Sequence, residues 1–459
     1  MEKNKKIKVR FAPSPTGLFH IGSARTALFN YLFAKKNHGE FILRIEDTDL
    51  ERSEQKYEED IINNLKWLGL EWDGNIFKQS ERIEIYKEYI KKLLDSGQAF
   101  WCDHTKEKLE EEKKEQIKRK EAPRHICDRK GKAEKGIIRF RCPDKKISFN
   151  DLIRGELEFN TSLFGDIGIA KDEKTPLYNL AVVIDDSEME ISHIIRGEDH
   201  ISNTPKQILL QEALNFNRPE FAHLPLILGP DKSKLSKRHG AFSVNQYKEQ
   251  GYLPEAIINF MALLGWNPGT EKEIFSLEEL IKEFSLERVH KAGAVFNLER
   301  LDWINSQYIR KMDLDELTKK CLPYLPENTD FEYIKKIVAL EQERIKKLSD
   351  IKELTKFFFT DELDYKPELL IWRKMSLKDV KNNLELLEKI LVKNDKFDQK
   401  SLEVILMQLT KKHGAGELLW PLRVAVSGQS SSPGPFEIMN VLGKEKTLKR
   451  IKEAIKKTN

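Results

Sequence analysis

Strands and helices alternate through the first hundred residues, and no other feature of the sequence restricts the fold as strongly. The apolar stretch Ile7–Ala12 is typical of a strand that ends at Pro13. Gly22–Asn37 carries the apolar spacing of a helix, and Phe41–Ile45 is typical of a second strand. Strands that alternate with helices predict a parallel sheet built from βαβ units.

The pattern changes in the second hundred residues. Residues 105–121 are nearly continuous Lys and Glu, which predicts a solvated helix, and Gly136–Gly168 is typical of short antiparallel strands. Strand-like segments return at Tyr178–Ile184 and Met189–Ile195, and helical periodicity dominates from Pro254 onwards. We therefore expect an α/β domain that is interrupted by an insertion and followed by one or two all-α modules.

Composition limits the class of protein. The chain has 459 residues, and 79 Lys and Arg against 75 Asp and Glu give a formal charge of only +4. No apolar run approaches the ~18 residues of a membrane span. Four cysteines in a chain of this length do not make a disulfide framework. We expect a cytoplasmic multidomain protein with no membrane partner, and the net charge alone says little about what it binds.

The first candidate site is the string Arg10–Gly17, followed by His20-Ile21-Gly22-Ser23. It stands at the carboxyl end of the first predicted strand and runs into the first helix, where open α/β sheets bind nucleotides. Free N–H groups at a helix start and a histidine side chain can donate to phosphate oxygens. Taken alone, the same string is also typical of a Pro/Gly turn with a capping histidine.

The second candidate site is the polar loop Asp231–Arg238, just after the predicted strand Pro225–Leu228. Its three lysines and one arginine form a cationic clamp that is suited to a polyphosphate and can stabilise charge on a leaving pyrophosphate. A solvated basic loop is the alternative interpretation. Two such motifs in this order, each at the end of a strand, favour a nucleotide site.

These motifs resemble the class I aminoacyl-tRNA synthetases, whose two signatures match His20–Ser23 and Lys234–Arg238. Longer strings resemble the bacterial glutamyl-tRNA synthetases: Arg10–Gly17, Arg25–Ala34, Phe41–Asp49, Ile194–Pro205, Tyr252–Trp266 and Pro421–Gly428. The resemblance implies an α/β fold with a Rossmann-like parallel-sheet catalytic domain and an α+β insertion, followed by all-α stem-contact and anticodon-binding domains. The implied boundaries are 1–100 with 190–240 for the catalytic domain, 101–189 for the connective, acceptor-binding insertion, 241–320 for the stem-contact domain and 321–459 for the anticodon-binding domain.

The resemblance also implies a reaction and its residues. L-Glutamate is activated by ATP, with Mg²⁺ bridging phosphates, and the glutamyl group passes to the 3′ end of tRNA(Glu). The glutamate positions that match are Arg10, Ser14, Glu46, Tyr178 and Arg196, and arginine's planar fork suits a carboxylate. The ATP positions are His20, Gly22, Asp199 and Lys237, and the expected catalytic residues are His20, Lys234 and Lys237. Tyr178, in an apolar segment, is also consistent with a core residue.

Two close Cys/His pairs lie in the insertion. Cys102 and His104 form C-x-H, and His125 and Cys127 form H-x-C after twenty intervening residues. Four ligands in two pairs suit tetrahedral Zn²⁺, and some bacterial relatives carry zinc here. The alternative is a degraded site whose cysteines and histidines are residual.

Contacts with tRNA are the last expectation. The resemblance implies that Lys356, Arg423, Ser432 and Pro433 contact the anticodon. Lys444–Asn459 carries seven basic residues against two acids, which is consistent with phosphate contact or with a solvated face. We expect a monomer. Two alternative functions stay open: an enzyme that also, or mainly, charges tRNA(Gln), and a non-catalytic tRNA-binding paralogue.

Overall fold

The computed structural model describes residues 6–49, 51–128, 130–235 and 243–458. The chain forms two units, residues 1–249 with 253–304 and residues 250–252 with 305–459. The expected fold class, a parallel-sheet α/β domain followed by a helical region, is confirmed. The finer division into four domains stays a prediction.

The first unit begins with the predicted alternation. Its first elements are β1 (Lys8–Phe11), α1 (Ile21–Lys36), β2 (Glu40–Ile45), α2 (Gln55–Trp67), β3 (Phe77–Lys78) and α3 (Ile83–Asp95). The strands pair in parallel in the order β1-β2-β3, with Arg10 opposite Ile42. Five of the six residues of β2 are buried, as expected of a strand that is covered on both faces. The parallel order brings the carboxyl ends of β1 and β2 to one edge.

Antiparallel pairing dominates the insertion, as predicted. Its elements are β4 (Ala99–Cys102), α4 (Lys106–Lys118), β5 (Ile137–Phe140), β6 (Lys146–Asp151), β7 (Gly155–Asn160), β8 (Ile167–Asp172) and β9 (Thr175–Pro176). Strands β4, β5, β8 and β9 form one antiparallel sheet, and β6 and β7 form a hairpin. Helix α4 buries only the side chain of Gln116, so the prediction of a solvated helix is confirmed.

A helix stands where the sequence predicted a strand. Tyr178–Ile184 belongs to α5 (Tyr178–Glu188), so the strand prediction is wrong. Seven consecutive residues, Leu180–Asp186, are buried, and the helix therefore lacks the polar face that would have identified it. A short apolar run does not by itself distinguish a buried helix from a strand.

Parallel pairing resumes after α5. The next elements are β10 (His193–Gly197), α6 (Thr204–Ala213), β11 (Glu220–Leu224), β12 (Ile227–Leu228), α7 (Val244–Glu249), α8 (Pro254–Leu263), α9 (Leu277–Glu283) and β13 (Ala294–Val295). Strand β10 pairs in parallel with β11, and Phe221 of β11 pairs with Asp151 of the β6–β7 hairpin. The Ser192 N–H donates to the Lys8 carbonyl at 2.9 Å, so β10 runs beside β1. The carboxyl ends of β1, β2 and β10 therefore lie together.

The rest of the chain is helical. Its helices are α10 (Leu298–Lys311), within which the division between the units falls, α11 (Leu314–Cys321), α12 (Phe331–Glu341), α13 (Asp350–Phe359), α14 (Leu377–Lys393), α15 (Gln399–His413), α16 (Ala415–Ser427) and α17 (Pro435–Lys457). Helix α17 is kinked at Gly443, whose φ of 76° favours glycine. Leu384, Leu387 and Leu391 place one apolar face of α14 in the core of the second unit. Nowhere in the described part of the chain does a helix combine the length and the apolar character that a membrane span requires.

Candidate active site

A cavity of about 910 Å³ opens at the carboxyl ends of β1 and β10. Its wall contains every predicted glutamate and ATP residue that the structure describes: Arg10, Ser14, His20, Gly22, Glu46, Tyr178, Arg196, Asp199 and Lys234. Lys237 lies outside the described residues. The cavity stands where open α/β sheets bind their ligands.

Arg10, in β1, is held by a buried carboxylate. Its Nε donates to Asp186 Oδ1 at 3.0 Å, and its Nη2 donates to Asp186 Oδ2 at 3.4 Å. The two side chains are 5% and 2% exposed. The forked contact fixes the plane of the guanidinium, and Nη1 remains for a ligand.

Arg44, in β2, joins the same network. Its Nη1 donates to Asp186 Oδ1 at 2.7 Å and its Nη2 donates to Glu46 Oε1 at 3.1 Å, while its own side chain is fully buried. Burial alone would raise the pKa of Asp186, but Arg10 and Arg44 lower it below its ordinary value. For Glu46, burial outweighs both arginines and raises the pKa. A cationic ligand beside Glu46 would favour its ionised form, so this carboxylate suits an ammonium group.

Arg196, in β10, is held along two sides of its guanidinium. Its Nε donates to His223 Nε2 at 3.3 Å, and its Nη2 donates to Thr204 Oγ1 and Gln207 Oε1, both at 2.8 Å. Its Nη1 is buried without a hydrogen-bond partner among the described residues. Burial, reinforced by Arg10, lowers the pKa of Arg196, yet a guanidinium stays charged at neutral pH. An unsatisfied buried donor costs about 1–3 kcal/mol, so Nη1 points to a ligand oxygen.

His20 caps α1. Its Nδ1 accepts the N–H groups of Gly22 at 3.1 Å and Ser23 at 3.2 Å, so the capping interpretation of this motif is correct. Desolvation by the cavity wall and the charge of Lys234 lower the pKa of His20, against the effect of Asp199. The ring is therefore neutral, with its proton on Nε2. A Cβ at Gly22 would lie 3.1 Å from His20 Nδ1, so a side chain at this position would crowd the capping ring.

Tyr178 and Asp199 reach the cavity from helical turns. Tyr178 is the first residue of α5, and its hydroxyl lies 3.0 Å from His200 Nδ1. Burial and the charge of Arg196 lower the pKa of His200 to about 4, so this histidine is neutral and its Nδ1 can accept a hydrogen bond from the tyrosine hydroxyl. Asp199 follows β10, where a Cβ at Gly197 would lie 2.4 Å from Asp199 Oδ1. Glycine therefore leaves room for the carboxylate.

The start of the basic loop folds back on β12. The Leu235 N–H donates to the Ile227 carbonyl at 2.9 Å, and Lys234 pairs with Leu228. This pairing places the exposed Lys234 in the cavity wall. The rest of the second signature, residues 236–238, lies outside the described residues, so the role of Lys237 stays a prediction.

The structure brings the two Cys/His pairs together. The ligand atoms of Cys102, His104, His125 and Cys127 all lie within 4.8 Å of one another. Cys102 Sγ is 3.4 Å from His104 Nδ1 and 3.5 Å from His125 Nε2, and Cys127 Sγ is 3.7 Å from His104 Nδ1. Zn–S bonds of ~2.3 Å and Zn–N bonds of ~2.0 Å in a tetrahedron imply S···N separations of about 3.5 Å. The donor set therefore fits zinc.

Carboxylates orient both histidines of this cluster. Glu112 Oε2 lies 2.6 Å from His125 Nδ1, and Asp128 Oδ1 lies 3.2 Å from His104 Nε2. In each ring the carboxylate accepts from the nitrogen that faces away from the cysteines, as it does around metal-bound histidines. The remaining nitrogens, His104 Nδ1 and His125 Nε2, face the cysteines and are placed to bind a metal.

The predicted anticodon residues lie on several elements of the second unit. Lys356 is exposed on α13, Arg423 is half-buried on α16, and Ser432 and Pro433 lie between α16 and α17. These positions give no charged pair or cavity that by itself identifies a ligand, so the anticodon role stays a prediction.

Arg450 joins two of these elements. Its side chain is buried, and it donates to the carbonyls of Phe357 and Val426, and to that of Thr360 at 2.9 Å. Arg450 is therefore not available for phosphate contact, and that part of the interpretation of the basic C-terminal stretch is wrong. Its neighbours Lys444 and Lys446 also donate to carbonyls within the second unit.

Sequence reasoning missed the residues around the two arginines that are predicted to bind glutamate, namely Arg44, Asp186, Thr204, Gln207 and His223. A signal was present for two of them. Arg44 interrupts the apolar string of β2, and Asp186 follows the apolar run of α5. A charge in such a setting needs a partner, because an unpaired buried charge is costly.

Comparisons with known proteins identify the family to which the chain belongs. A family model for the catalytic domain of class I tRNA synthetases (E and Q) matches residues 6–303, and an anticodon-binding domain model matches residues 316–455. The chain is 44% identical to glutamate–tRNA ligase 2 of Thermoanaerobacter pseudethanolicus over 98% of each chain, and 46% identical to the glutamate–tRNA ligase of Aquifex aeolicus over 98% and 99%. The crystal structure of a glutamate tRNA ligase from Elizabethkingia meningosepticum, in complex with its amino acid, matches with a TM-score of 0.89 at 36% identity, covering 98% of this chain and 99% of that one. The resemblance is confirmed, and the chain belongs to the class I tRNA synthetases (E and Q), among the glutamate–tRNA ligases.

Proposed function

We propose that this protein is a glutamate–tRNA ligase, which activates L-glutamate with ATP and transfers the glutamyl group to the 3′ end of tRNA(Glu). One observation carries the choice of amino acid. Arg10 and Arg196 lie in the wall of one cavity, each held by buried partners that leave its Nη1 group for a ligand, and Glu46 lies in the same wall. Family membership supports the reaction.

The charges of the cavity complement those of glutamate. Glutamate has two carboxylates and one ammonium group. We assign Arg10 to the side-chain carboxylate, Arg196 to either carboxylate, and Glu46 with Ser14 to the ammonium, while the Tyr178 hydroxyl faces the substrate. Glutamine would place a neutral amide, with one acceptor oxygen and an NH₂ donor, where a carboxylate offers two acceptor oxygens to the guanidinium, and such a hydrogen-bond mismatch is strongly discriminating.

The start of α1 is the proposed ATP site. His20 can donate from Nε2 to a phosphate oxygen, Gly22 lets the backbone approach, and the helix start favours negative charge. Asp199 lies in the wall of the same cavity, and we assign it to the nucleotide. Lys234 and Lys237 would stabilise charge on the departing pyrophosphate. Mg²⁺ that arrives with ATP would add positive charge at the same phosphates.

The proposed chemistry needs no covalent bond to the protein. An oxygen of the glutamate α-carboxylate attacks the α-phosphorus of ATP in line, and the bond to pyrophosphate breaks, which leaves glutamyl-adenylate. A hydroxyl of the terminal tRNA ribose then attacks the acyl carbon, and AMP leaves. The protein contributes position and charge stabilisation.

We also propose that Cys102, His104, His125 and Cys127 hold a structural Zn²⁺. The first pair lies at the end of β4 and the second follows α4, so a metal would fix the insertion around that helix. Metal analysis of the purified protein should find one zinc per chain, lost in Cys102→Ser and kept in Cys142→Ser, whose thiol lies outside the cluster. Zinc-free wild-type protein would remove the proposal.

We propose that the protein works as a cytoplasmic monomer. We also propose that it contacts the tRNA anticodon through Lys356, Arg423, Ser432 and Pro433. Unpaired anticodon bases are read by their edges and by stacking. Lys356→Ala should raise the KM for tRNA and leave the KM for glutamate unchanged. An unchanged KM for tRNA would argue against this role.

Charging assays with purified tRNA(Glu) and tRNA(Gln) test the function. We expect ATP-dependent attachment of glutamate to tRNA(Glu), which would also exclude a non-catalytic tRNA-binding role. Product on tRNA(Gln) would extend the substrate range to both. The absence of charging on tRNA(Glu) would refute the proposal.

A further inference from the structure

We propose that His223 is a positioning residue for amino-acid recognition, which acts as a neutral hydrogen-bond acceptor, fixed by Asp151, and holds Arg196 in the orientation that offers Nη1 to a carboxylate. The inference rests on the proposed function, in which Arg196 binds glutamate.

The imidazole of His223 lies between the carboxylate of Asp151 and the guanidinium of Arg196. His223 is fully buried in β11, and its Nδ1 is 2.6 Å from Asp151 Oδ2. Its Nε2 is 3.3 Å from Arg196 Nε and 3.0 Å from Thr204 Oγ1. Arginine is always a donor, so Nε2 must be the acceptor, and the single proton of the ring lies on Nδ1 and is donated to Asp151.

The surroundings keep this ring neutral. Burial lowers the pKa of His223, and the charges of Arg196 and Arg154 lower it further, while Asp151 opposes them. A second proton, on Nε2, would face the Nε–H of Arg196 at hydrogen-bond distance. The neutral form with Nδ1 protonated is therefore the one that can hold the guanidinium.

Asp151 is itself rigidly held. Its carboxylate accepts the backbone N–H groups of Ile153 at 3.0 Å, Arg154 at 2.8 Å and His223 at 3.0 Å, in addition to the His223 ring. Asp151 ends β6, and its backbone pairs with Phe221 in the strand that carries His223. The acid therefore cannot turn away, and it fixes both the tautomer and the plane of the imidazole.

In the guanidinium of Arg196, Nε and Nη2 are therefore bound by neighbouring side chains, and Nη1 is open. Nε is bound by His223 and Nη2 by Thr204 and Gln207, whose own amide is oriented by a bond to Asn179 Oδ1 at 3.1 Å. Without an acceptor at Nε the plane of the fork could rotate, and a forked contact with a carboxylate depends on that plane. His223 thus acts on glutamate only through Arg196.

Two amide substitutions separate this role from a structural one. The terminal amide of glutamine reaches about as far as imidazole Nε2, whereas that of asparagine reaches about as far as Nδ1. His223→Gln keeps an acceptor for Arg196, and His223→Asn keeps only the group that faces Asp151. We expect the KM for glutamate to rise at least about tenfold in His223→Asn and to stay within about threefold in His223→Gln, with the KM for ATP unchanged in both.

Several outcomes would overturn the inference. Equal KM changes in the two variants, or a parallel rise in the KM for ATP, would show a merely structural role. If Arg196→Ala raises the KM for glutamate while His223→Asn does not, the inference fails and the proposed function stands. Failure of the wild type to charge tRNA(Glu) is a failure of the proposed function instead.

A measurement on the wild type does not depend on the folding of the variants. ¹⁵N-histidine NMR reports the protonation of each ring nitrogen, and the signal of His223 is the one that disappears in His223→Gln. We expect an unprotonated Nε2 and a protonated Nδ1 at neutral pH. A protonated Nε2 would refute the inference.

Discussion

Asp186 bridges Arg10 and Arg44, and its replacement by asparagine tests how the amino-acid site is held. Asparagine keeps the shape of the side chain and removes the charge that compensates two buried guanidinium groups. Removing one partner of a buried ion pair costs about 3–5 kcal/mol, because it leaves an uncompensated charge. At about 2 °C per kcal/mol for a unit of this size, the melting temperature of the first unit should fall by about 6–10 °C.

The control is an exposed ion pair in the same unit. Lys146 and Glu158 pair at 2.9 Å with side chains that are 73% and 57% exposed, so Glu158→Gln should cost less than about 1 kcal/mol. Calorimetry of wild type, Asp186→Asn and Glu158→Gln compares the melting temperatures. The KM for glutamate should also rise in Asp186→Asn, because the fork of Arg10 loses the contact that fixes its plane.

Two results would refute the reasoning. The first is a fall in melting temperature in Asp186→Asn that is no larger than the fall in Glu158→Gln. The second comes from Arg44→Met, which removes one of the two cations that Asp186 compensates. The double variant Arg44→Met, Asp186→Asn should lose less stability than the sum of the losses in the two single variants. Additive losses of stability would show that these residues are not coupled.

Three further predictions concern carboxylates. Burial raises the pKa of Glu46, so the KM for glutamate should rise as the pH falls through that raised value, and Glu46→Gln should have a high KM with no such pH dependence. Glu112→Ala should weaken zinc affinity by about 10–100-fold in chelator competition, with Glu111→Ala on the same helix unchanged. Burial raises the pKa of Glu341 to about 7. The stabilisation that protonated Glu341 contributes is therefore complete below the pKa that this side chain has in the unfolded chain, and it is lost as the pH rises through 7. The melting temperature of the second unit should therefore fall between pH 5 and pH 8, less so in Glu341→Gln, and equal falls in both proteins would contradict this.

Local pattern was sufficient for the features that depend on neighbouring residues. The strand that ends at Pro13, the cap at His20 and the close Cys/His pairs each lie within a few positions, so spacing alone predicts them. Because parallel strands end at a common edge, Arg10 and Arg196 could also be placed at one site. The resemblance then assigned their ligand.

Residues whose role depends on partners that are distant in the chain could not be predicted from the sequence. Asp186 meets Arg10 across 176 positions, and no periodicity specifies such a contact. His223 likewise reads as a polar residue among the apolar residues Phe221, Ala222 and Leu224 of β11 until Asp151 is placed beside it. Tyr178, which stays a predicted site residue, lies in the cavity wall although its element was predicted wrongly, because the resemblance gave the position and the apolar run misidentified the conformation.

Arg450 has a consequence for synthesis of the chain. It lies downstream of every carbonyl that it holds, those of Phe357, Thr360 and Val426. Domains generally fold in the order in which they leave the ribosome, but these carbonyls lack the Arg450 donor until α17 has emerged. Lys356 precedes Phe357, and Arg423 lies one turn before Val426. We therefore expect the contact that Arg450 makes between α13 and α16 to form only after the last helix has been translated.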